Sequence, residues 1–322
     1  MRSIACIALL APALACSCSS NNPPPTPDAA APICDHASAL CVKINQCAPF
    51  LLKAIYGDLA GCTDRLTKVC TEQEKSEGSG MVANILACET ALRSATCNDV
   101  FANNVPACAF RGTFGDGATC GDNSQCASAF CAHNGNLCGV CAAKGASGAT
   151  CPSGSNDECQ SGLVCSSGNL CVTPAALGAA CDDNTAPCLI GSFCTLAKTC
   201  GLTVAVGQEC PGTYLNLGDG NVCLAKSSAA SPQLSVQLGT AATGQSCGLA
   251  PSNGQPATLC APGGVAACKG LAGSIDLFGI PTNGLCAALT QDGFTCAASS
   301  ACLAGAQCIN GTCQIPSGRY CM

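Results

Sequence analysis

"GATCPSGSNDECQSGLVCSSGNLC", residues 148–171, holds four cysteines: Cys151, Cys159, Cys165 and Cys171. Thiols this dense can be metal ligands, reactive nucleophiles or crosslinks, and the choice among these decides the fold. The surrounding sequence repeats the pattern. "GATC" opens at 117 and 148, "GAAC" at 178, "GQEC" at 207, "GQSC" at 244 and "GFTC" at 293. The motif C-x-x-G-x-x-C recurs at 159–165, 188–194 and 302–308, with a one-residue-shorter relative, "CASAFC", at 126–131. Self-similarity at a fixed spacing marks tandem modules. Glycine at each opening supplies the positive φ that a tight turn needs. The modules are expected to be short β-hairpins and irregular loops.

Composition agrees with a stapled chain. There are 35 cysteines in 322 residues, no tryptophan, eight phenylalanines and three tyrosines. A cysteine share above roughly 8–10% signals a disulfide scaffold in an exported chain. Large apolar side chains contribute about 1.5–3 kcal/mol each on burial. With so few of them, burial alone cannot offset about 1–2 kcal/mol of backbone entropy per ordered residue, so covalent links must supply the rest. The chain carries 13 basic and 19 acidic residues, a net charge of −6. That balance argues against a nucleic-acid partner and against charge-driven adhesion to an anionic membrane.

The opening "MRSIACIALLAPALACSCSS" has Arg2, an apolar run from Ile4 to Leu14, and then small residues. It reads as a signal peptide over 1–15. Cleavage before Cys16 suits ordinary signal peptidase at Ala13-Leu14-Ala15. It also suits a bacterial lipoprotein, in which Cys16 becomes the acylated N-terminus. The polar, proline-rich stretch 16–33 then serves as a flexible tether. These features point to an exported protein, held on an outer membrane or cell surface by lipid or else secreted. No second apolar stretch is long enough for a transmembrane helix.

Residues 34–110 differ in texture and read as a helical, disulfide-linked domain. Helices are expected to break at Pro49 and Gly57, with Asp58 capping a segment that runs to Cys70. Cys34 and Cys41, seven apart, share a face with Leu40, Ile44, Leu51 and Leu52 nearby. A further helix is expected in "MVANILACETALRSATC", with Val82, Ile85, Leu86 and Leu92 inward. Residues 117–210 hold three cysteine-rich repeats, 211–292 a divergent region with a flexible insert at 224–244, and 293–322 a final repeat. Some strand character appears at 273–284. With the helical domain at one end, the modules suggest an elongated array.

The cysteines assigned to structural crosslinks are Cys34, Cys41, Cys47, Cys62, Cys70, Cys88, Cys97 and Cys108 in the helical domain. In the repeats they are Cys120, Cys126, Cys131, Cys138, Cys141, Cys151, Cys159, Cys165, Cys171, Cys181, Cys188, Cys194, Cys200 and Cys210. The remainder are Cys223, Cys247, Cys260, Cys268, Cys286, Cys296, Cys302, Cys308, Cys313 and Cys321. They form an even set without Cys6, Cys16 and Cys18, but sequence alone does not give their pairing.

Other chemistry was weighed against this reading. Cys138-Gly139-Val140-Cys141 is a C-x-x-C, which fits half a zinc site or a redox motif, but a second such pair is missing. Only His36 and His133 could complement it. Gly244 to Gly248 matches the G-x-S-x-G hydrolase pattern around Ser246, yet it coincides with a repeat opening and lacks a strand–helix frame. "GDNSQC" (121–126), "DDNTAPC" (182–188) and "GDGN" (218–221) offer oxygens to calcium, or else are ordinary turns. Asn310-Gly311-Thr312 is a glycosylation sequon. The sequence calls for no cofactor, no metal and no catalytic residue. A stapled loop acting as a peptidase inhibitor is an alternative, and a hydrolase using Ser246 a remote one.

The glycine-led cysteine spacing resembles the N-terminal cysteine-rich domain of Dickkopf proteins. It is more similar to the cysteine-rich exported proteins and lipoproteins of myxobacteria labelled Dickkopf-like. Tyr56-Gly57-Asp58, Cys62 and Arg65 match a pattern that often precedes such repeats. The resemblance implies a non-enzymatic surface protein that binds an unidentified protein or surface ligand.

Overall fold

The structure is a computed structural model that describes residues 34–321 apart from short stretches, the longest being 224–233 and 250–256. The signal peptide, Cys16 and the tether lie outside the described residues. Five helices come first: α1 (His36–Cys47), α2 (Pro49–Tyr56), α3 (Leu59–Glu74), α4 (Ile85–Ser94) and α5 (Cys97–Phe101). Short strand pairs follow.

The helix breaks fall where expected. Pro49 starts α2, where its missing N–H costs nothing, and Gly57 ends it at φ +86°. Asp58 caps α3 by accepting from the Gly61 amide at 2.7 Å. Thr96 and Asp99 form a reciprocal capping box at the start of α5. The two hydrogen bonds from Thr96 hold the Asp99 carboxyl below its usual range. Two crosslinks, Cys34–Cys70 and Cys41–Cys62, clip α1 to α3 about two turns apart. Cys47–Cys97 and Cys88–Cys108 close the rest of the bundle.

Its core joins Leu40, Ile44, Leu52, Leu66, Leu92 and Val100 with fully buried sulfur. One expectation fails here. Leu86 is 74% exposed, because Cys88 and Leu92, one turn apart, set the buried face of α4. A residue two positions before Cys88 is carried to the far side. Met81–Val82, expected to begin that helix, instead pairs as a strand with Phe110–Arg111.

The opening glycines at 117, 148, 178, 207, 244 and 293 all have φ between +80° and +88°. In the second copy the Gly148 amide donates to the Cys171 carbonyl at 2.8 Å, and the Cys171 amide returns a bond to Ala149 at 2.8 Å. The same two-bond strap joins Gly117 to Cys141, Gly178 to Cys200, Gly244 to Cys286 and Gly293 to Cys313. Three residues before each of these glycines, a parallel bridge meets the second cysteine: Phe114 with Cys126, Gly145 with Cys159, Ala175 with Cys188, Ala241 with Cys260 and Thr290 with Cys302.

Two interleaved crosslinks then lock each module, one running along the chain from the opening cysteine and the other from the second to the strap cysteine. They are Cys120–Cys131 with Cys126–Cys141, Cys151–Cys165 with Cys159–Cys171, and Cys181–Cys194 with Cys188–Cys200. Farther on they are Cys247–Cys268 with Cys260–Cys286, and Cys296–Cys308 with Cys302–Cys313. The divergent region therefore contains a complete module from Gly244 to Cys286. The strand Gly284–Ala288 pairs with Ala266–Gly270 and Ser246–Cys247 to build it. The supposed insert also contributes strands Val236–Gln237 and Gly239–Ala241.

The copy opening at Gly207 keeps only Cys210–Cys223. Its strap survives with Ser235 in the place of the last cysteine, as the Gly207 amide donates to Ser235 and the Ser235 amide to Gln208, both at 2.8 Å. Tyr214 takes the other half of the lost crosslink. Its hydroxyl accepts from the Val204 amide at 2.9 Å, donates to the Val204 carbonyl at 3.1 Å and reaches Ser235 Oγ at 3.4 Å. Val204 stands three residues before the glycine, where the other copies bridge to their second cysteine. A buried tyrosine thus replaces a disulfide. Tyr214→Phe strands the Val204 amide, while the Val204 carbonyl keeps its bond from Asn221 Nδ2 at 2.9 Å, and should lower stability by about 1 kcal/mol. Thermal unfolding reads this directly, and an unchanged midpoint would contradict it.

The first module, the region from 207 to 286 and the last module do not extend away from the bundle; they close back on it. Phe50 and Ala54 of α2 pack on a second core of Val222, Leu238, Leu249, Ala257 and Leu259. The first module docks on the end of α3, and the last docks on its middle, as described below. Every strand pair is only two or three strands wide, so single modules have little core of their own and use the bundle as a common wall.

Candidate functional site

The framework sulfurs are the first candidates. Triads such as Cys120, Cys126 and Cys141, or Cys151, Cys159 and Cys171, bring three sulfurs within 4.8 Å of one another. Each belongs to a disulfide, whereas a metal needs thiolates. They are two crosslinks stacked side by side. The C-x-x-C resolves likewise: Cys141 belongs to its own module, while Cys138 pairs with Cys321 across a separation of 183 residues. Its two sulfurs go to different partners.

Ser246 lies on a short strand opposite Leu285, and a glycine at φ +128° and the strand Thr258–Cys260 follow. That is a repeat opening and not a strand–turn–helix elbow. Of the two histidines, His36 is buried in α1 and His133 follows the strand Cys131–Ala132 of the first module. The acidic loops turn their oxygens onto neighbouring amides. Asp182 Oδ1 accepts from the Asn184 backbone amide at 2.7 Å, and Asp219 Oδ2 accepts from Asn216 Nδ2 at 2.9 Å. Asn310 of the sequon sits exposed at a hairpin tip with φ +51°.

Asp122 is different, because it joins two parts of the protein. It is buried, caps a one-turn helix through the Ser124 amide at 2.8 Å and accepts from Gln73 Nε2 of α3 at 2.8 Å. Beside it, Gln125 donates to the Glu77 carbonyl at 2.7 Å, and the Ser79 and Ser124 hydroxyls meet at 2.7 Å. Burial pushes the Asp122 carboxyl up, against the opposing pull of Ser124, Gln73 and the nearby His133. A raised folded-state value means that protonation in acid relieves the desolvation of the carboxylate, and this stability is lost as pH rises through that value, although the accepted hydrogen bonds themselves favour the ionised form. Asp122→Asn should therefore flatten the pH dependence of the unfolding midpoint between acid and neutral conditions. An unaltered pH profile would refute the assignment.

The last module meets α3 through Arg65, whose guanidinium is 8% exposed. It grips Asp292 with both nitrogens of its fork and donates Nε–H to the Ala304 carbonyl. Ala304 itself packs on the bundle core. On the other side of Arg65 lies Tyr56, whose phenol is pushed up to about 12 by burial despite that cation. Beside the junction runs an open cleft of about 520 Å³ between α3 and the last module, with Asp64, Lys68, Thr71, Glu72, Asp292 and Gln314 among its walls.

Large apolar side chains are also exposed along the third module and its flanks. Leu177, Leu196, Leu202 and Val206 are 57%, 77%, 63% and 50% exposed. The only charges between residues 177 and 206 are Asp182, Asp183 and Lys198. Sequence reading did not single out these side chains, because isolated apolar residues among turns carry no periodicity that tells an exposed position from a buried one. It also missed the role of Arg65, since the partner lies 227 positions away. Among the described residues, no helix is long and apolar enough to cross a membrane.

The fold and these surfaces define a class: a disulfide-stapled repeat protein built around a helical hub. Comparison of the chain with protein-family models, curated proteins and solved structures returned no match.

Proposed function

We propose that this is a non-enzymatic exported protein, anchored by lipid at Cys16, that uses its stapled modules for binding or adhesion at the cell surface. The observation that carries the binding role is the third module, which is doubly crosslinked and, with its flanking residues, presents four exposed large apolar side chains. Exposed apolar surface on a stable framework marks an interaction site. Sixteen crosslinks among the described residues suit an oxidising compartment outside the cytosol. The resemblance to Dickkopf-like exported cysteine-rich proteins supports the same placement.

Two measurements test this. Intact mass of protein from the membrane fraction should show an acylated Cys16 and no free thiols in the body; an unmodified Cys16 or many free thiols would refute the anchored reading. Cells carrying the protein should lose adherence to their neighbours when it bears Leu196→Glu and Leu202→Glu. Variant cells that adhere as well as wild-type cells, or wild-type cells that adhere no better than cells lacking the protein, would refute the adhesive role.

A further inference from the structure

Of the sixteen crosslinks among the described residues, fifteen lie within the helical bundle or within a single module. Cys138–Cys321 alone joins two modules, the first and the last. Removing the repeating pairs makes its origin plain. Cys138 is the one cysteine of the first module outside the interleaved set, and Cys321 follows the last complete set.

Access and geometry set this bond apart. Thiol–disulfide exchange needs a thiolate to reach one sulfur in line with the bond. Most crosslinks have at least one fully buried cysteine, whereas Cys138 and Cys321 are both half-buried. Cys296–Cys308 and Cys47–Cys97 also lack a buried half, and Cys97 is exposed, but each lies within one module or within the bundle. The first is interleaved with Cys302–Cys313, and the second ties the end of α1 to the start of α5. If either were opened, its two thiols would stay side by side and reclose at high effective concentration. Cys138 and Cys321 have no second crosslink between their modules. Once they part, the described contacts that remain run from each module to the bundle: Gln73–Asp122 and Ala129 for the first, Arg65–Asp292 and Ala304 for the last.

We propose that Cys138–Cys321 is a redox clasp: a dithiol reductant opens it ahead of the other crosslinks, freeing the last module from the first while each stays stapled. The step balances as an exchange. One thiolate of the dithiol attacks Cys138 or Cys321, forming a mixed disulfide and releasing the other cysteine as thiolate. The second thiol of the reductant then displaces the first cysteine. The clasp gains two electrons and two protons and the reductant leaves as its own disulfide.

Graded treatment of the full native chain with dithiothreitol, alkylation of new thiols and peptide mapping tests the order of opening, with small-angle scattering on the same samples. Cys138 and Cys321 should be the first pair labelled, and the radius of gyration should increase as they are. Cys138→Ser with Cys321→Ser should show that larger radius without reductant. First labelling of Cys47 and Cys97, or of any pair within a module, would overturn the proposal. So would labelling of the clasp without a change in dimensions, a result that holds even if the double variant fails to fold.

Discussion

Replacing Cys41 and Cys62 together with alanine is expected to destabilise the bundle by about 3–5 kcal/mol, the upper part of the range for a native disulfide. Both sulfurs are fully buried and sit at the centre of a core that has few large apolar side chains. The loss therefore combines the freed chain entropy of the unfolded state with a packing defect. Cys47–Cys97 separates these causes. It closes 50 residues against 21, which favours it in loop entropy by only about 0.8 kcal/mol. Cys97 is exposed, so little packing goes with it. The alanine pair at 41 and 62 should thus cost more despite the shorter loop. Denaturant unfolding of both variants checks this, and a larger loss at 47 and 97 would show that loop entropy alone governs the bundle.

Arg65→Ala is the second large effect. The guanidinium is nearly buried and makes two bonds to Asp292 and one to Ala304, so its removal undoes the seat of the last module. Breaking a fully buried pair costs about 3–5 kcal/mol. Asp292 is 35% exposed and regains water, which reduces the expected loss to about 2–3 kcal/mol. Arg65→Lys keeps the charge without the planar fork and should fall between. Hydrogen exchange should localise the change to 290–313, with the second and third modules unaffected. A loss below about 0.5 kcal/mol, within the range of ordinary surface substitutions, would remove Arg65 from the junction.

Much of this architecture could be read along the chain because its signals are local. Pro49, Gly57 and Asp58 mark helix ends by their own backbone chemistry, and the opening glycines mark turns that only positive φ allows. "CASAFC" shows how far such reading goes. Ala129 occupies the left-handed position, at φ +55°, that Gly162 and Gly305 fill in longer copies. Its methyl packs against the helical core, a reason for alanine there that no local rule contains.

What escaped the sequence is non-local. The module at 244–286 was hidden because 12 residues separate its first two cysteines, which breaks the spacing but leaves the strap and bridge intact. Ser235 and Tyr214 could not be recognised as stand-ins for a crosslink before the strap was seen. The closed arrangement depends on Arg65–Asp292 and Cys138–Cys321, pairs far apart in sequence whose members look like any surface arginine or repeat cysteine. The exposure of Leu196 and Leu202 escaped for a simpler reason: each stands alone among turn residues, with no periodic pattern to assign it a face.

The architecture rests on how the cysteines connect. Peptide mapping of the non-reduced native protein tests it most directly, using digestion at low pH to prevent exchange. It should recover Cys138 linked to Cys321, Cys126 to Cys141, and Cys260 to Cys286 within the hidden module. Cys138 linked inside its own module, or neighbouring cysteines paired in sequence order within the copies, would contradict both the repeated unit and its closure around the bundle.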